Sequence, residues 1–232
     1  MTARWKDVWA ARKLDPTRAS TLEQLMAADG LDTGFGNVAE AAWREFVTRT
    51  AATLDLGRGS RVFEVGCGAG AFLYPLHEAG CIVGGLDQSA ALVGYAAAAM
   101  PEGQWVQGDA SALDPAEGWD VVLACGVFMY FSDPGYARGV IARMAAKATR
   151  AVAILDVPDV ARRDEAMAFR RGSMGEAEYE AKYRGLDHLF YDRSWMKRVL
   201  VEVGATGVRI EDQQVSGYQN ARFRFNAFAT LK

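Results

Sequence analysis

The run Val62-Phe63-Glu64-Val65-Gly66-Cys67-Gly68-Ala69-Gly70 limits this chain more than any other stretch: an apolar strand passes into three alternating glycines and then into a helical pattern. Glycine tolerates the left-handed backbone that a tight strand-to-helix turn needs, and the helix start leaves N–H groups without partners. Such a turn is either a bare structural corner or a cradle in which backbone approaches a ligand. The spacing is GxGxG rather than the GxGxxG of the dinucleotide fingerprint, which leans away from a pyrophosphate ligand.

Around this turn, short apolar runs alternate with helical segments, the pattern of βαβ units and a parallel sheet. Strands are expected at 61–65, 81–86, 104–107, 120–124 and 151–156, with helices at 71–79, 90–100 and 135–148. A weaker helical signal, equally a turn, covers 113–117. Ser89 and Pro101 bound the second helix and Asp133-Pro134 opens the third, while Pro75 inside the first removes a donor and is expected to kink it. Residues 1–58 read as a helical N-terminal cap, with Asn37 and Glu40 capping a helix that shows Trp43, Phe46, Val47, Ala51 and Leu54 on one face. Upstream, Trp5 and Trp9 stand one helical turn apart, first as a stripe docking on the body and second as an aromatic cover over a ligand. Segment 159–191, polar and charge-rich, breaks the alternation and is expected to be a lid or insertion. A helix at 192–203, stopped by Gly204, then leads to strands at 206–213 and 222–231. With 232 residues, 50% of them hydrophobic, the chain suits a single α/β domain carrying these two additions.

Two carboxylates sit where that architecture binds ligands. Asp87 in Gly85-Leu86-Asp87 ends the second strand, about twenty residues after the glycines, where a ribose-binding carboxylate stands. Asp109 in Gly108-Asp109-Ala110 ends the third, placed to accept from an exocyclic amine such as that of adenine. Singly each also reads as a helix cap or a turn residue; together with the glycines they mark one edge of a parallel sheet.

Composition removes other classes. Lys and Arg number 26 against 29 Asp and Glu, a net charge of −3, which disfavours a nucleic-acid partner. The three cysteines form no CxxC pair, and no HxxxH or cysteine cluster suggests a metal; Asp133, Asp156 and Asp159 read as caps and turn residues. A charged N-terminal stretch unlike a secretory leader, and no apolar run near the roughly 18 residues of a membrane span, lead to a cytoplasmic expectation with no membrane partner. Oligomeric state is left open.

VFEVGCGAG, GLDQS, QGDAS and WDVVLACGVFMYF resemble the successive motifs of class I S-adenosylmethionine-dependent methyltransferases, over about residues 60–135, with architectural similarity beyond. The resemblance implies a Rossmann-like seven-stranded, mostly parallel sheet with helices on both faces and an antiparallel last strand. It implies S-adenosylmethionine as cofactor, with Gly66, Cys67, Gly68 and Gly70 around its methionine part and Glu64 anchoring either the loop or the amino group. Asp87 would then hold the ribose, Gln88 lie beside the adenosine, Asp109 and Ala110 meet the adenine, and Cys125 stand near the sulfonium. Ala124-Cys125-Gly126-Val127 occupies the place of the Asp/Asn-Pro-Pro-aromatic motif of nucleic-acid amine methylation, so a small-molecule substrate is implied instead.

That topology would also bring the acceptor-side residues to the ligand edge: Tyr218, Asn220, Arg222 and Arg224 for substrate binding, with Tyr191 beside them and His188 and Tyr130 as catalytic candidates. Arg222, Arg224 and Asn226 alternate with Phe223, Phe225 and Ala227, a polar face that suggests an anionic acceptor, unless the arginines reach the surface or pair with carboxylates. Methyl transfer is an in-line displacement on an electrophile that is already strong, so alignment and exclusion of water matter most. An alcohol or ammonium acceptor needs a base, for which His188 is the candidate; a carboxylate or phosphonate does not, and His188 would then only donate a hydrogen bond. The expected function is O- or N-methylation of a small molecule. The rival readings are a nucleotide-dependent oxidoreductase on the same architecture and a cofactor-binding protein without turnover.

Overall fold

The computed structural model describes residues 3–15, 17–32, 37–172 and 175–231. Three helices come first, α1 (Ala3–Ala10), α2 (Thr21–Ala28) and α3 (Glu40–Thr53). The alternation then runs β1 (Arg61–Val65), α4 (Leu73–Glu78), β2 (Ile82–Asp87), α5 (Ala90–Ala99), β3 (Gln104–Gln107), β4 (Trp119–Cys125), α6 (Pro134–Lys147) and β5 (Ala148–Pro158). After it come α7 (Arg163–Gly172), α8 (Glu176–Tyr183), α9 (Arg193–Glu202), β6 (Gly207–Asp212) and β7 (Arg224–Thr230).

The strands form one seven-stranded sheet in the order β3-β2-β1-β4-β5-β7-β6. Pairing is parallel from β3 to β5, and β7 runs antiparallel between β5 and β6. Because successive strand residues face opposite ways, Val62, Val121, Leu123 and Ala153 enter a core with α2 to α5 on one face, whereas Phe63, Val122, Ile154 and Phe225 enter a second core with α6 and α9 on the other. Strand order reverses between β1 and β4, and the crevice at the carboxyl ends of these strands is where such sheets receive ligands.

Local chemistry sets several helix starts. Ser89, Asp133 and Asp192 accept from Leu92, Tyr136 and Trp195 N–H, and Pro134 occupies the first position of α6, where its missing donor has no helical partner to lose. Pro75 does not kink α4, because the helix begins at Leu73 and the proline stands in its first turn. The expected cap of α3 is also corrected: Ala39 holds that place without a side-chain bond, and Glu40 instead pairs with Arg44 at 2.7 Å. No helix forms at 113–117; the tight turn lies earlier, over Ala110–Ala112.

Segment 159–191 leaves and rejoins the body at one point, where Tyr191 N donates to the Pro158 carbonyl at 2.8 Å and Val160 N to the Tyr191 carbonyl at 2.9 Å. Between them lie α7 and α8. Among the described residues, no helix is long and apolar enough to cross a membrane.

Candidate functional site

At the carboxyl edge of β1, β2, β4 and β5 lies a cavity of about 830 Å³, walled by the glycine turn on one side and by residues of α1, 186–188 and 213–224 on the other. Gly66 and Gly68 have φ of 74° and 55°. A Cβ on Gly66 would lie 2.5 Å from Val127 Cγ2, so both conformation and space require glycine there. Gly70 backs on Met100 and Ala96 and keeps the turn tight, and it does not line the cavity.

Asp87 braces this turn, accepting Gly68 N at 3.1 Å and Ser89 N at 2.8 Å while lining the cavity. Burial pushes its carboxyl up, partly offset by those N–H groups. A second carboxylate, missed in the sequence, comes from the end of α2: Asp29 accepts Ala69 N at 2.6 Å and Ala71 N at 3.0 Å, taking the free donors at the start of the α4 segment. Burial raises it to about 7, more than those two bonds lower it. Glu64 completes the group; it is buried, its Oε2 has no partner among the described residues, and burial together with Asp29 and Asp87 pushes it well above the ordinary carboxylate range. Cys67 and Cys125 also line the cavity, both held as thiols by burial and nearby carboxylates.

Gln88 lines both this cavity and an adjoining notch of about 20 Å³ that contains Asp109 and Ala110. Burial works to raise Asp109, but hydrogen bonds from Tyr136 Oη and Ser111 outweigh it and hold the carboxyl at about 2.

On the opposite wall Asp156 is the hub rather than a turn residue. Its Oδ2 accepts Arg224 Nη1 and Tyr218 Oη, each at 3.1 Å, and its Oδ1 accepts Gln213 Nε2 at 3.3 Å. Its own N–H donates to Asn226 Oδ1 at 2.9 Å, in a left-handed conformation with φ 58°. Arg224, Tyr218 and Asn220 line the cavity as expected from the sheet topology. Arg222 does not: β7 starts at Arg224, so Arg222 lies in the preceding turn with its guanidinium over Phe169 and Phe223 at 4.4 and 4.7 Å. The two arginines therefore share no strand face.

Tyr130 and His188 meet under α1. Trp5 stands 4.6 Å from the Tyr130 ring and 5.1 Å from His188, Trp9 stands 5.4 Å from Tyr130, and Trp5 Nε1 donates to the Asp187 carbonyl at 3.1 Å. The tryptophan pair thus both docks α1 and roofs the cavity. Arg170 Nη2 lies 2.5 Å from His188 Nδ1. A guanidinium only donates, so Nδ1 accepts and the proton of the neutral ring is on Nε2. Burial, then Arg170 and Arg224, push His188 well below the ordinary imidazole value, and burial pushes Tyr130 up to about 12. Tyr191 is corrected from substrate contact to core: it is 2% exposed, and its hydroxyl donates to the Phe128 carbonyl at 2.9 Å, behind the turn that carries Tyr130.

Asp156, read from the sequence as a cap or turn residue, lies within β5 two residues before its end, and Asp29 and Arg170 had no local mark. A model of the family described as "Methyltransferase domain" matches residues 62–156. A ubiquinone biosynthesis O-methyltransferase from Rhodopseudomonas palustris (strain BisA53) is 32% identical over 111 residues, 46% of this chain and 44% of the relative. The chain thus matches less than half the length of that curated relative. Among solved structures, magnesium protoporphyrin IX methyltransferase from Synechocystis PCC 6803 with bound SAM aligns at TM-score 0.62 and 17% identity, covering 94% of this chain and 100% of that one. The N-methyltransferase NodS from Bradyrhizobium japonicum WM9, in complex with S-adenosyl-l-homocysteine, aligns at 0.59 and 21% identity, covering 90% and 95%.

Proposed function

We propose that the chain is a class I S-adenosylmethionine-dependent methyltransferase, a reading supported by the match of residues 62–156 to the methyltransferase-domain family, and that it binds S-adenosylmethionine against the glycine turn and transfers its methyl group to a small molecule held across the cavity. The observation that carries this reading is the convergence of Asp29, Glu64 and Asp87 on one glycine-rich turn. Sulfonium and ammonium give the methyl donor two positive centres, and Glu64 Oε2 is a buried acceptor without a donor. A dinucleotide would bring pyrophosphate charge to the same place, where the N–H groups of Ala69 and Ala71 already serve Asp29. The carboxylates therefore favour a cationic ligand over NAD.

In this reading Gly66, Cys67 and Gly68 adjoin the methionine part, Asp87 takes the ribose, Gln88 the adenosine, and Asp109 with Ala110 the adenine. Cys125 adjoins the sulfonium. The methyl donor supplies the electrophile, and this chain's residues align the nucleophile and exclude water. The acceptor lies among Tyr130, His188, Tyr218, Asn220 and Arg224, which line the cavity. Names of the curated relatives support O-methylation of a small molecule. Segment 159–191 serves as the cover through which the acceptor enters. Titration calorimetry with S-adenosylmethionine and S-adenosylhomocysteine tests the reading: micromolar-range heats are expected with both and none with NADH. No heat with either sulfur ligand would sink it.

A further inference from the structure

Among the described residues, the acceptor wall is rich in donors, and its carboxylate is already engaged by Arg224, Tyr218 and Gln213. His188 receives a hydrogen bond from Arg170 on Nδ1 and so presents N–H at Nε2. Tyr130 is buried among Trp5, Trp9 and His188, and burial holds its hydroxyl protonated. Both oxygens of Asp156, the carboxylate on this wall, already accept hydrogen bonds, from Arg224 and Tyr218 on one and from Gln213 on the other. The Asn220 side chain and the Arg224 guanidinium add donors to the same wall. A ligand that satisfies such a wall is an acceptor of hydrogen bonds, and a nucleophile that works there arrives without a proton to lose. The remaining wall, Trp5, Trp9 and Tyr130, is aromatic and apolar.

Resting on the methyltransferase reading, we infer that the acceptor group is a carboxylate carried on a flat, apolar body, and that the product is its methyl ester. One carboxylate oxygen forms a bond to the methyl carbon while the carbon–sulfur bond breaks, and the electron pair stays on sulfur. The carboxylate loses its negative charge, the sulfonium its positive charge, and no proton moves. His188 acts as a positioning donor to the carboxylate, with Arg170 fixing its tautomer. A phenol, alcohol or ammonium acceptor carries a proton that neither the Nε2–H of His188 nor the Arg224 guanidinium can receive.

The test uses the whole protein with methyl-tritiated S-adenosylmethionine and probes matched in skeleton: benzoate, cinnamate and indole-3-acetate against phenol, 4-vinylphenol and tryptamine. Mild alkali releases ester methyl as volatile methanol and leaves ethers and methylamines intact. The expected result is alkali-labile label on at least one carboxylate, none above background on the phenols and amine, and kcat/KM flat from about pH 6 to pH 9. Alkali-stable label on a phenol or amine overturns the inference, and so does a protein that binds S-adenosylhomocysteine yet labels no carboxylate. Loss of cofactor binding would instead remove the methyltransferase reading beneath it. His188→Gln, whose amide keeps one acceptor for Arg170 and a weaker donor for the ligand, is expected to raise the carboxylate KM severalfold while the pH profile stays flat, whereas a base role predicts a loss of kcat of about a hundredfold or more. Such a loss, with an acidic limb in the pH profile, overturns the inference.

Discussion

The site turns on where individual carboxylates put their lone pairs. Asp87 spends one acceptor position per oxygen on Gly68 and Ser89 N–H and has others left for a ligand. Asp87→Ala is therefore expected to weaken S-adenosylhomocysteine binding by about 1.5–3 kcal/mol, through the lost charge-assisted bond and the loosened turn. Calorimetry on the variant checks this, and an unchanged affinity would leave Asp87 as a brace only. Asp29 makes a separate prediction because burial raises it from 3.8 to about 7. A raised carboxyl binds its proton more tightly folded than unfolded, so its contribution is fully present below about pH 3.8 and is lost as pH rises through about 7. His188, depressed below 6.5, acts in the opposite sense and costs stability as pH falls below that value. Thermal melts from about pH 5 to pH 8 are expected to show the ligand-free wild type losing more stability toward high pH than Asp29→Asn. Parallel curves would mean that Asp29 is ionised throughout.

Among the elements, we propose that α1 and segment 159–191 act as a single cover. Trp5 joins them through its bond to the Asp187 carbonyl and its stack on His188. Both lie over the cavity, and the segment is tied to the body at its base by the Asp159 and Tyr191 bridge. A cover of this kind is expected to open for the acceptor and to tighten when the cavity fills. Hydrogen exchange should slow in α1 and in residues 160–190 on adding S-adenosylhomocysteine, and Trp5→Ala should remove most of that protection while α5 and α6 exchange as before. Equal rates with and without ligand would make 159–191 a fixed insertion. The same elements show why helix existence was more legible than helix detail. Ser89, Asp133 and Asp192 announce their helices because a cap is a contact within three residues. Glu40 promised a cap and pairs with Arg44 and Ser20 instead, a choice made by α2 packing alongside.

For the whole molecule, strand order is what turns scattered residues into one cavity. The reversal between β1 and β4 opens the crevice, and the insertion of β7 beside β5 carries Arg224 and Asn226 to Asp156. The cavity wall is acidic at the glycine turn and donor-rich at the far end, so ligand charge should decide what stabilises the fold. A ligand at a hundredfold excess over its Kd adds about 2.7 kcal/mol. For a protein of this size that is a rise in Tm of roughly 5–10 °C. S-adenosylhomocysteine is expected to produce it and NADH is not; the reverse pattern would restore the oxidoreductase alternative.

The sequence by itself determined the sheet, the glycine turn and the carboxylates at the ends of β2 and β3, because each is written in short-range terms: apolar period, turn sterics and the residue that closes a strand. Asp156 closes the strand expected at 151–156 and was read as a cap or turn residue. Only the tertiary structure decided the rest. Asp29 reaches Ala69 across 40 positions, Asp156 meets Asn226 across 70, and Arg170 sets the tautomer of His188 across 18. It also separated Arg224, buried against Asp156, from Arg222, stacked on Phe169. A partner chosen by packing between distant elements leaves no period and no spacing in the chain, so its choice exists only once the layers have closed.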